Sequence, residues 1–439
     1  MEADARPDGR PTGRKVWDLT DTIYALSSGA PPAAVAVVRI SGPRAHDALE
    51  KLAGKLPEPR LARLVKLRED GEVIDNALVL RFDGPASETG EDVAELQLHG
   101  GRSVVAAVLA ALGRIDGLRL AEPGEFTRRA FENGRIDFAQ AEGLADLIEA
   151  ETEVQRRAAL ALAGGALSRQ VEAWQARLLA LAAQIEAALD FSDEGDVRPD
   201  DIAAPLAALS AEVRACLKQP SAERLREGVR VVIAGPPNSG KSTLLNALVG
   251  REAAITSDIA GTTRDVVEAP VAIEGIPFLL VDTAGLRQAG DAIEEIGVSR
   301  ARDQLELADI IIWLGPAEQA RGDERVVLVH AKADLGGAPL PEALVVSART
   351  GLGLDALIRK VIRHSASLLP GPGEVALSRR HRAELLETLD SIEFARKESD
   401  PLLVAEHLRE ALRWLDRITG RAGVEDMLDA LFGSFCIGK

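Results

Sequence analysis

The sequence predicts a multidomain chain of α+β and α/β class: an N-terminal α+β domain, a discontinuous helical domain, and a P-loop α/β domain inserted into it. Three observations predict this. Short β-branched runs separated by turns fill 17–133. Segments rich in Ala, Leu, Glu, Gln and Arg, with apolar residues at helical spacing, occupy 137–190 and return over 379–432. Between them, from Val229 to about His364, strands and helices alternate, the sign of a mostly parallel sheet with crossover helices. At 439 residues, and about 150 residues per domain, some three domains are expected.

Taken in order, residues 1–16 carry Pro, Gly and charge without periodicity and read as a disordered tail. Over 17–133, Asp21–Leu26, Ala33–Ile40, Asp75–Phe82 and Asp92–Leu98 have the composition of strands, and Val104–Leu112 the spacing of a helix. The character changes near Ile136. Leu144, Leu147 and Ile148, then Leu178, Leu181, Ile185 and Leu189, recur at helical spacing; Gly164-Gly165 divides them into at least two helices, and another is expected over 202–218. Residues 134–227 thus form the first part of the helical domain, 228–366 the insertion, and 367–439 the second helical part. That last part holds helices over Leu402–Leu415 and Val424–Leu431 and a closing cysteine motif.

Lys+Arg 52 against Asp+Glu 69 gives a net charge of −17, which excludes a sequence-blind nucleic-acid coat held by charge, though not RNA as a substrate. Two cysteines, Cys216 and Cys436, exclude a disulfide framework and point to a reducing compartment. Apolar runs fall short of the ~20 residues of a spanning helix, and the basic N-terminus has no apolar stretch behind it. A cytoplasmic protein without a membrane segment is expected.

The strongest chemical signal is G-P-P-N-S-G-K-S at 235–242, between a strand at Val229–Ala234 and a helix at Ser242–Val249. Two glycines allow backbone N–H groups to turn inward around a phosphate, and the helix N-terminus adds positive potential. Asn238, Ser239, Gly240, Lys241, Ser242 and Thr243 form this cradle, with Lys241 reaching the β/γ-phosphates and the Ser242 hydroxyl holding Mg²⁺. Downstream, Leu279–Val281 leads into Asp282-Thr283-Ala284-Gly285, a carboxylate for the Mg²⁺ shell and an N–H for a γ-phosphate. Thr262 and Thr263, between the two motifs, suit a switch loop that closes on the triphosphate.

Base selection is expected after the next strand, Arg325–Val329, in His330-Ala331-Lys332-Ala333-Asp334. Asp334 can accept two hydrogen bonds from a guanine edge, which adenine cannot offer, and the Lys332 stem can stack on the base. GTPases usually have Asn where Ala331 stands; its loss removes about 1 kcal/mol of hydrogen bonding and predicts weaker nucleotide binding. Ser347-Ala348-Arg349, after a strand at Ala343–Val346, suits the last guanine-contacting loop. The fold class is therefore completed by a Ras-like P-loop GTPase domain. Leu286 stands where Ras-like enzymes place a water-orienting Gln. Glu294, in the acidic stretch Asp291–Glu295, can take that part or merely compensate a helix dipole. Asn238 is either a monovalent-cation ligand or a loop-shaping residue.

Together these residues resemble the MnmE (TrmE) family of tRNA-modification GTPases over essentially 17–439. The carrying features are D-T-I-Y-A-L at 21–26, V-V-R-I-S-G at 37–42, T-G-E-D-V-A-E-L-Q-L-H-G-G at 89–101 and E-P-G-E-F-T-R-R-A-F at 122–131. The phosphate loop, D-I-A-G-T-T-R-D at 258–265, D-T-A-G-L-R at 282–287 and F-C-I-G-K at 435–439 complete them. The resemblance implies a dimerising N-terminal folate-binding domain, a helical domain and an inserted G domain. It implies a homodimer that joins MnmG, an FAD enzyme, in a heterotetramer. With it the family installs (carboxymethyl)aminomethyl groups at C5 of the tRNA wobble uridine, using 5,10-methylene- or 5-formyl-tetrahydrofolate.

By matching motif positions, Arg39, Glu95, Arg135 and Lys439 would contact the folate. The family more often has Lys where Arg135 stands, which keeps the charge but changes the geometry. Ser242 and Thr263 would hold Mg²⁺, and Asn238, Ser257, Ile259 and Thr262 would hold K⁺. Glu294 matches the family's water-positioning Glu, and Cys436 a cysteine acting in the modification. Read without the resemblance, Cys436 is either a buried small residue or a thiol activated by the nearby cation; Cys216 is structural. The rival function is a switch GTPase binding ribosomal RNA during assembly, but such a protein is expected to carry a basic appendage where this chain has acidic ones. A P-loop ATPase is disfavoured by Asp334 and the Ser347-Ala348 loop.

Overall fold

The computed structural model describes residues 20–190, 200–251, 268–283, 303–320, 322–336, 342–371, 374–422 and 425–438. By contact the chain divides into two compact units, Met1–Ala141 with Val424–Lys439, and Glu142–Gly423.

The first unit is a six-stranded sheet. Its strands are β1 (Thr22–Leu26), β2 (Val35–Ser41), β3 (Arg63–Glu69), β4 (Glu72–Phe82), β5 (Val93–His99) and β6 (Leu118–Leu120), with helices α1 (Ala45–Ala53), α2 (Arg102–Gly113) and α3 (Glu125–Glu132). The strand order is β3-β4-β5-β2-β1-β6, antiparallel except for the β1–β6 pair. Alternation along β2 and β5 sends Ala36, Val38, Ile40, Ala94, Leu96 and Leu98 into a core closed by Leu49 and Leu52 of α1 and Val108 and Leu112 of α2. Because the strand period is two, Arg39 and Glu95 fall on the opposite face, and register makes them direct cross-strand partners. On that face α3 carries Arg129, 0% exposed, which donates to Asp21 Oδ1 (2.5 Å), Glu91 Oε2 (3.1 Å) and Glu125 Oε1 (3.1 Å). This pins the start of β1 and the loop before β5 to one helix.

The chain enters the second unit within α4 (Phe138–Glu149), followed by α5 (Glu153–Ala163), α6 (Ala166–Asp190), α7 (Asp200–Leu217) and α8 (Ala222–Glu227). Thr152 and Gln155 close a capping box on α5, and Gly164-Gly165 separates α5 from α6 as expected. Then come β7 (Val229–Ala234), α9 (Lys241–Val249), β8 (Glu268–Ile273), β9 (Ile276–Asp282), β10 (Ile310–Trp313), β11 (Val326–His330), β12 (Leu344–Val345) and α10 (Leu354–Ser365). The order β12-β11-β10-β7-β9-β8 is parallel except for β8, so β7 is flanked on both sides and reads as an apolar run broken only by Arg230. After it α11 (Arg379–Lys397) packs on α7, and α12 (Pro401–Thr419) on α6 and α11. Two stretches more than 200 positions apart thus share one helical bundle, as Gln175 donating to Asp416 Oδ1 (2.8 Å) illustrates. Among the described residues no helix is long and apolar enough to cross a membrane.

The segment of the last helix, α13 (Glu425–Ser434), groups by contact with the first unit. Arg128 donates to Asp429 Oδ1 (2.6 Å), Phe432 lies 6.3 Å from Phe131, and Ile437 bridges to Pro123. A Cβ on Gly124 would come within 2.3 Å of Phe432 O, so that close approach needs glycine.

An ionic knot joins α4 to α11 inside the second unit. Glu142 accepts from Arg380 Nη2 (2.6 Å) and faces His381 Nε2 at 2.8 Å, and Arg380 also binds Glu384. Burial opposes ionisation of Glu142, but His381 and Arg380 outweigh it and bring its carboxyl down to about 2. Burial pushes Glu384 the other way. A carboxyl lowered on folding stabilises above its unfolded value of 4.5 and loses that contribution as pH falls toward 2; the raised Glu384 runs in the opposite sense and offsets part of it. The Glu142 contribution amounts to about 3 kcal/mol near neutrality. Urea midpoints of the native chain and Glu142→Gln should therefore differ most near pH 6, with less than half of that gap left at pH 3. A pH-independent gap would refute the linkage.

Candidate functional site

The nucleotide cradle is built at the C-terminal end of β7, where a parallel sheet offers strand ends and helix starts to one ligand. Gly235 turns the chain at φ +149 with Leu314 3.1 Å from where its Cβ would be, and Gly240 caps α9 at φ +100. Asn238 also adopts positive φ, 58°. The resulting loop folds over Lys241, 6% exposed, whose Nζ donates to Gly235 O (3.1 Å) and Pro236 O (3.0 Å). Ser239 Oγ is buried without a hydrogen-bond partner among the described residues.

Ser242, in the first turn of α9, and Asp282, at the end of β9, meet at 2.5 Å through Oγ and Oδ2. A hydroxyl and a carboxylate converging beside the phosphate loop are the hard oxygen donors that Mg²⁺ takes, so these residues fit that ion. Thr283 turns its hydroxyl to Ile233 O (3.0 Å), tying β9 to β7, while Thr243 is exposed on α9.

Two loops from β11 and β12 approach the cradle. Lys332, at φ 58°, donates from Nζ to Asn238 O (2.6 Å), and its stem lies 3.4 Å from a Cβ placed on Gly240. Ser347, fully buried, donates to Asp334 Oδ1 (2.7 Å); that hydroxyl holds the exposed Asp334 carboxyl below the usual carboxylate range. Ala348 packs on the domain core and Arg349 is exposed. Ala331 likewise packs against the apolar core, so the position where GTPases usually carry an amide is here an apolar contact. Ser257, Ile259, Thr262, Thr263, Ala284, Gly285 and Glu294 lie outside the described residues.

The first unit holds a separate open cavity of about 280 Å³, lined by Arg60, Phe82, Ala86, Ser87, Glu88, Val93, Glu95 and Arg135. Arg39 joins two of its walls: Nε and Nη2 donate to Glu95 Oε1 (3.1 and 2.9 Å), and Nη1 pairs with Glu88 Oε2 (2.6 Å). Its guanidinium also lies 5.7 Å from the centroid of Phe126. Gly90, at φ +81, has room for no Cβ beside Asn133 and the Arg135 stem, which brings Arg135 to the same wall. A carboxylate with one oxygen still open, beside arginines and an aromatic ring, suits the donor edge of a pterin and the anionic end of a folate. Three of the expected contacts thus share one cavity region, and Lys439 lies outside the described residues. Sequence reasoning missed Arg60, Phe82 and Glu88; the alternation of β4 could have flagged Phe82, whereas Glu88 carries no local signal.

Cys436 is exposed in the closing segment, between buried Phe435 and a Gly438 (φ +96) whose absent Cβ would meet Leu26 O at 2.2 Å. Cys216 differs: burial pushes its thiol up to about 11, so it is a packing residue rather than a nucleophile.

Two family descriptions match the chain, "MnmE helical domain" over 138–436 and "GTP-binding protein TrmE N-terminus" over 22–135. Among curated relatives, "tRNA modification GTPase MnmE" of Rhizorhabdus wittichii is 59% identical, covering 96% of this chain and 97% of its own. Proteins of the same name from Novosphingobium aromaticivorans and Erythrobacter litoralis are 54% and 55% identical, covering 96% and 95% of this chain and 100% of each relative.

Proposed function

The chain belongs to the MnmE family of tRNA modification GTPases, and from that premise we propose that it is a K⁺-stimulated GTPase. With an MnmG-type FAD enzyme it installs (carboxymethyl)aminomethyl groups at C5 of the tRNA wobble uridine, drawing one carbon from a tetrahydrofolate. The observation that carries this reading is the presence, in one chain, of the Lys241–Ser242–Asp282 cradle and the Arg39–Glu95 pocket. A ribosome-assembly switch has use for the first and none for the second.

In this mechanism Lys241 exchanges its two loop carbonyls for phosphate oxygens of GTP, and the backbone N–H groups of the loop surround the β-phosphate. Ser242, Thr263 and Asp282 would hold Mg²⁺, which would supply positive charge for the triphosphate. Asp334, oriented by Ser347, accepts from the guanine N1–H and 2-amino group, and the Lys332 stem covers the base. Asn238, with Ser257, Ile259 and Thr262, would hold K⁺, which would add positive charge beside the phosphates; Glu294 orients the attacking water where Leu286 cannot. Glu95 binds the pterin edge, with Arg39, Arg135 and Lys439 around it, and Cys436 serves the modification step.

Two measurements test the proposal. GTP turnover should run at least about tenfold faster in K⁺ than in Na⁺, roughly 1.4 kcal/mol of barrier; equal rates would remove the Asn238 role. Mass analysis of tRNA from cells lacking the gene should show wobble uridines without the C5 group. Intact modification would defeat the main claim.

A further inference from the structure

From the charge arrangement of the first-unit pocket, we infer that Glu88 is a built-in competitor for Arg39, which an anionic group of the reduced folate must displace on binding. The inference rests on the folate reading of this pocket and adds a residue that sets its affinity and charge selectivity. Each nitrogen of the Arg39 guanidinium has an acidic partner, which engages three of its five N–H groups: Glu95 accepts from Nε and Nη2, and Glu88 pairs with Nη1 at 2.6 Å. The two acids differ in standing. The Glu95 side chain, 18% exposed, is the strand neighbour of Arg39 and stays in place by register. The Glu88 side chain, 56% exposed, reaches in from the rim.

The backbone under Glu88 is stiff. Its neighbours are both buried: Ser87 donates to Glu91 O, and Thr89 shares a 2.7 Å hydrogen bond with Ser41 while its carbonyl accepts from Asn133 (2.7 Å). The loop therefore holds Glu88 opposite Arg39, while the side chain itself can rotate out to water. Arg60, stacked 5.5 Å over Phe82 and donating to Ala86 O, and Arg135 complete a rim with three arginines against two carboxylates. A ligand carboxylate gains the Nη1 edge of Arg39 only once Glu88 leaves it, so occupancy by Glu88 taxes that contact by the fraction of time it is paired.

The test is calorimetric binding to the full-length protein, using 5-formyltetrahydrofolate and a tetrahydropterin without the aminobenzoylglutamate tail. Glu88→Gln should tighten 5-formyltetrahydrofolate by about two- to fivefold, the range of an exposed ion pair removed from competition, and leave the uncharged pterin unchanged. Glu95→Gln should weaken both ligands. If Glu95→Gln weakens binding but Glu88→Gln leaves it equal or weaker, the competitor role is wrong and the pocket assignment stands. An equal gain for both ligands would mean that Glu88 blocks space rather than competes for charge, and also overturns the inference. If the native protein binds neither ligand, the pocket assignment fails and the inference with it.

Discussion

Lys241→Ala is expected to lower GTP turnover by about 10³-fold, some 4 kcal/mol of transition-state stabilisation. The magnitude follows from where the ammonium sits. Lys241 is 6% exposed, under a loop whose carbonyls at Gly235 and Pro236 already take its protons. A charge in that water-poor position acts on a phosphate far more strongly than an exposed lysine would. The loop dihedrals at Gly235, Asn238 and Gly240 shape the cradle before the nucleotide arrives, so that only the hydrogen bonds of the ammonium change. The alanine variant leaves two carbonyl oxygens pointing into the phosphate site, an additional repulsion. Lys241→Arg should not restore activity, since the guanidinium is broader than the space beneath the loop. Turnover and nucleotide affinity measured side by side check this; a loss under tenfold would show that the phosphate is stabilised by other groups.

The cradle was legible because its chemistry is local: strand, glycine turn, Lys-Ser and helix follow one another within about twenty residues, and β7 and α9 lie where that pattern placed them. Asp282 could be placed at a strand end for the same reason, although its 2.5 Å meeting with Ser242 depends on β7 and β9 lying parallel. The first unit was harder to read. Strand β3, R-L-V-K-L-R-E, escaped notice because it is an edge strand with only Leu67 fully buried, so no apolar face repeats along it. Arg39 had no local signal at all. Its partner Glu95 is 56 positions away, and only the β2–β5 register puts the two opposite each other. The contacts of α13 with the first unit were not legible for a related reason: an amphipathic helix reports that it has an apolar side, not which surface covers it. Phe432 resembles any helical core residue until Gly124 and Phe131 are seen against it.

Asp334→Asn should exchange guanine for xanthine specificity, with GTP affinity falling by about 10²- to 10³-fold and XTP affinity rising in return. A carboxylate only accepts, which matches the two donors on the guanine N1 and C2 edge. Xanthine keeps N1–H but presents a carbonyl at C2, so the same carboxylate would face an acceptor. An asparagine answers that edge with one acceptor and one donor, provided the amide is held the right way round. Ser347 supplies that control: its hydroxyl donates to Asp334 Oδ1, and in the variant it selects the amide oxygen for that position, leaving the NH₂ on the other side. Ser347 is fully buried and also accepts from Thr350 N–H (3.2 Å), so it cannot easily turn away. The apolar contact of Ala331 with the core gives the loop no amide to offset the change, which places the loss toward the upper end of the range. Competition of GTP and XTP for the variant, measured with and without Ser347→Ala, separates the two contributions: removing the serine should blunt the gain for XTP. A variant that still prefers GTP tenfold would show that the base is read by groups other than Asp334.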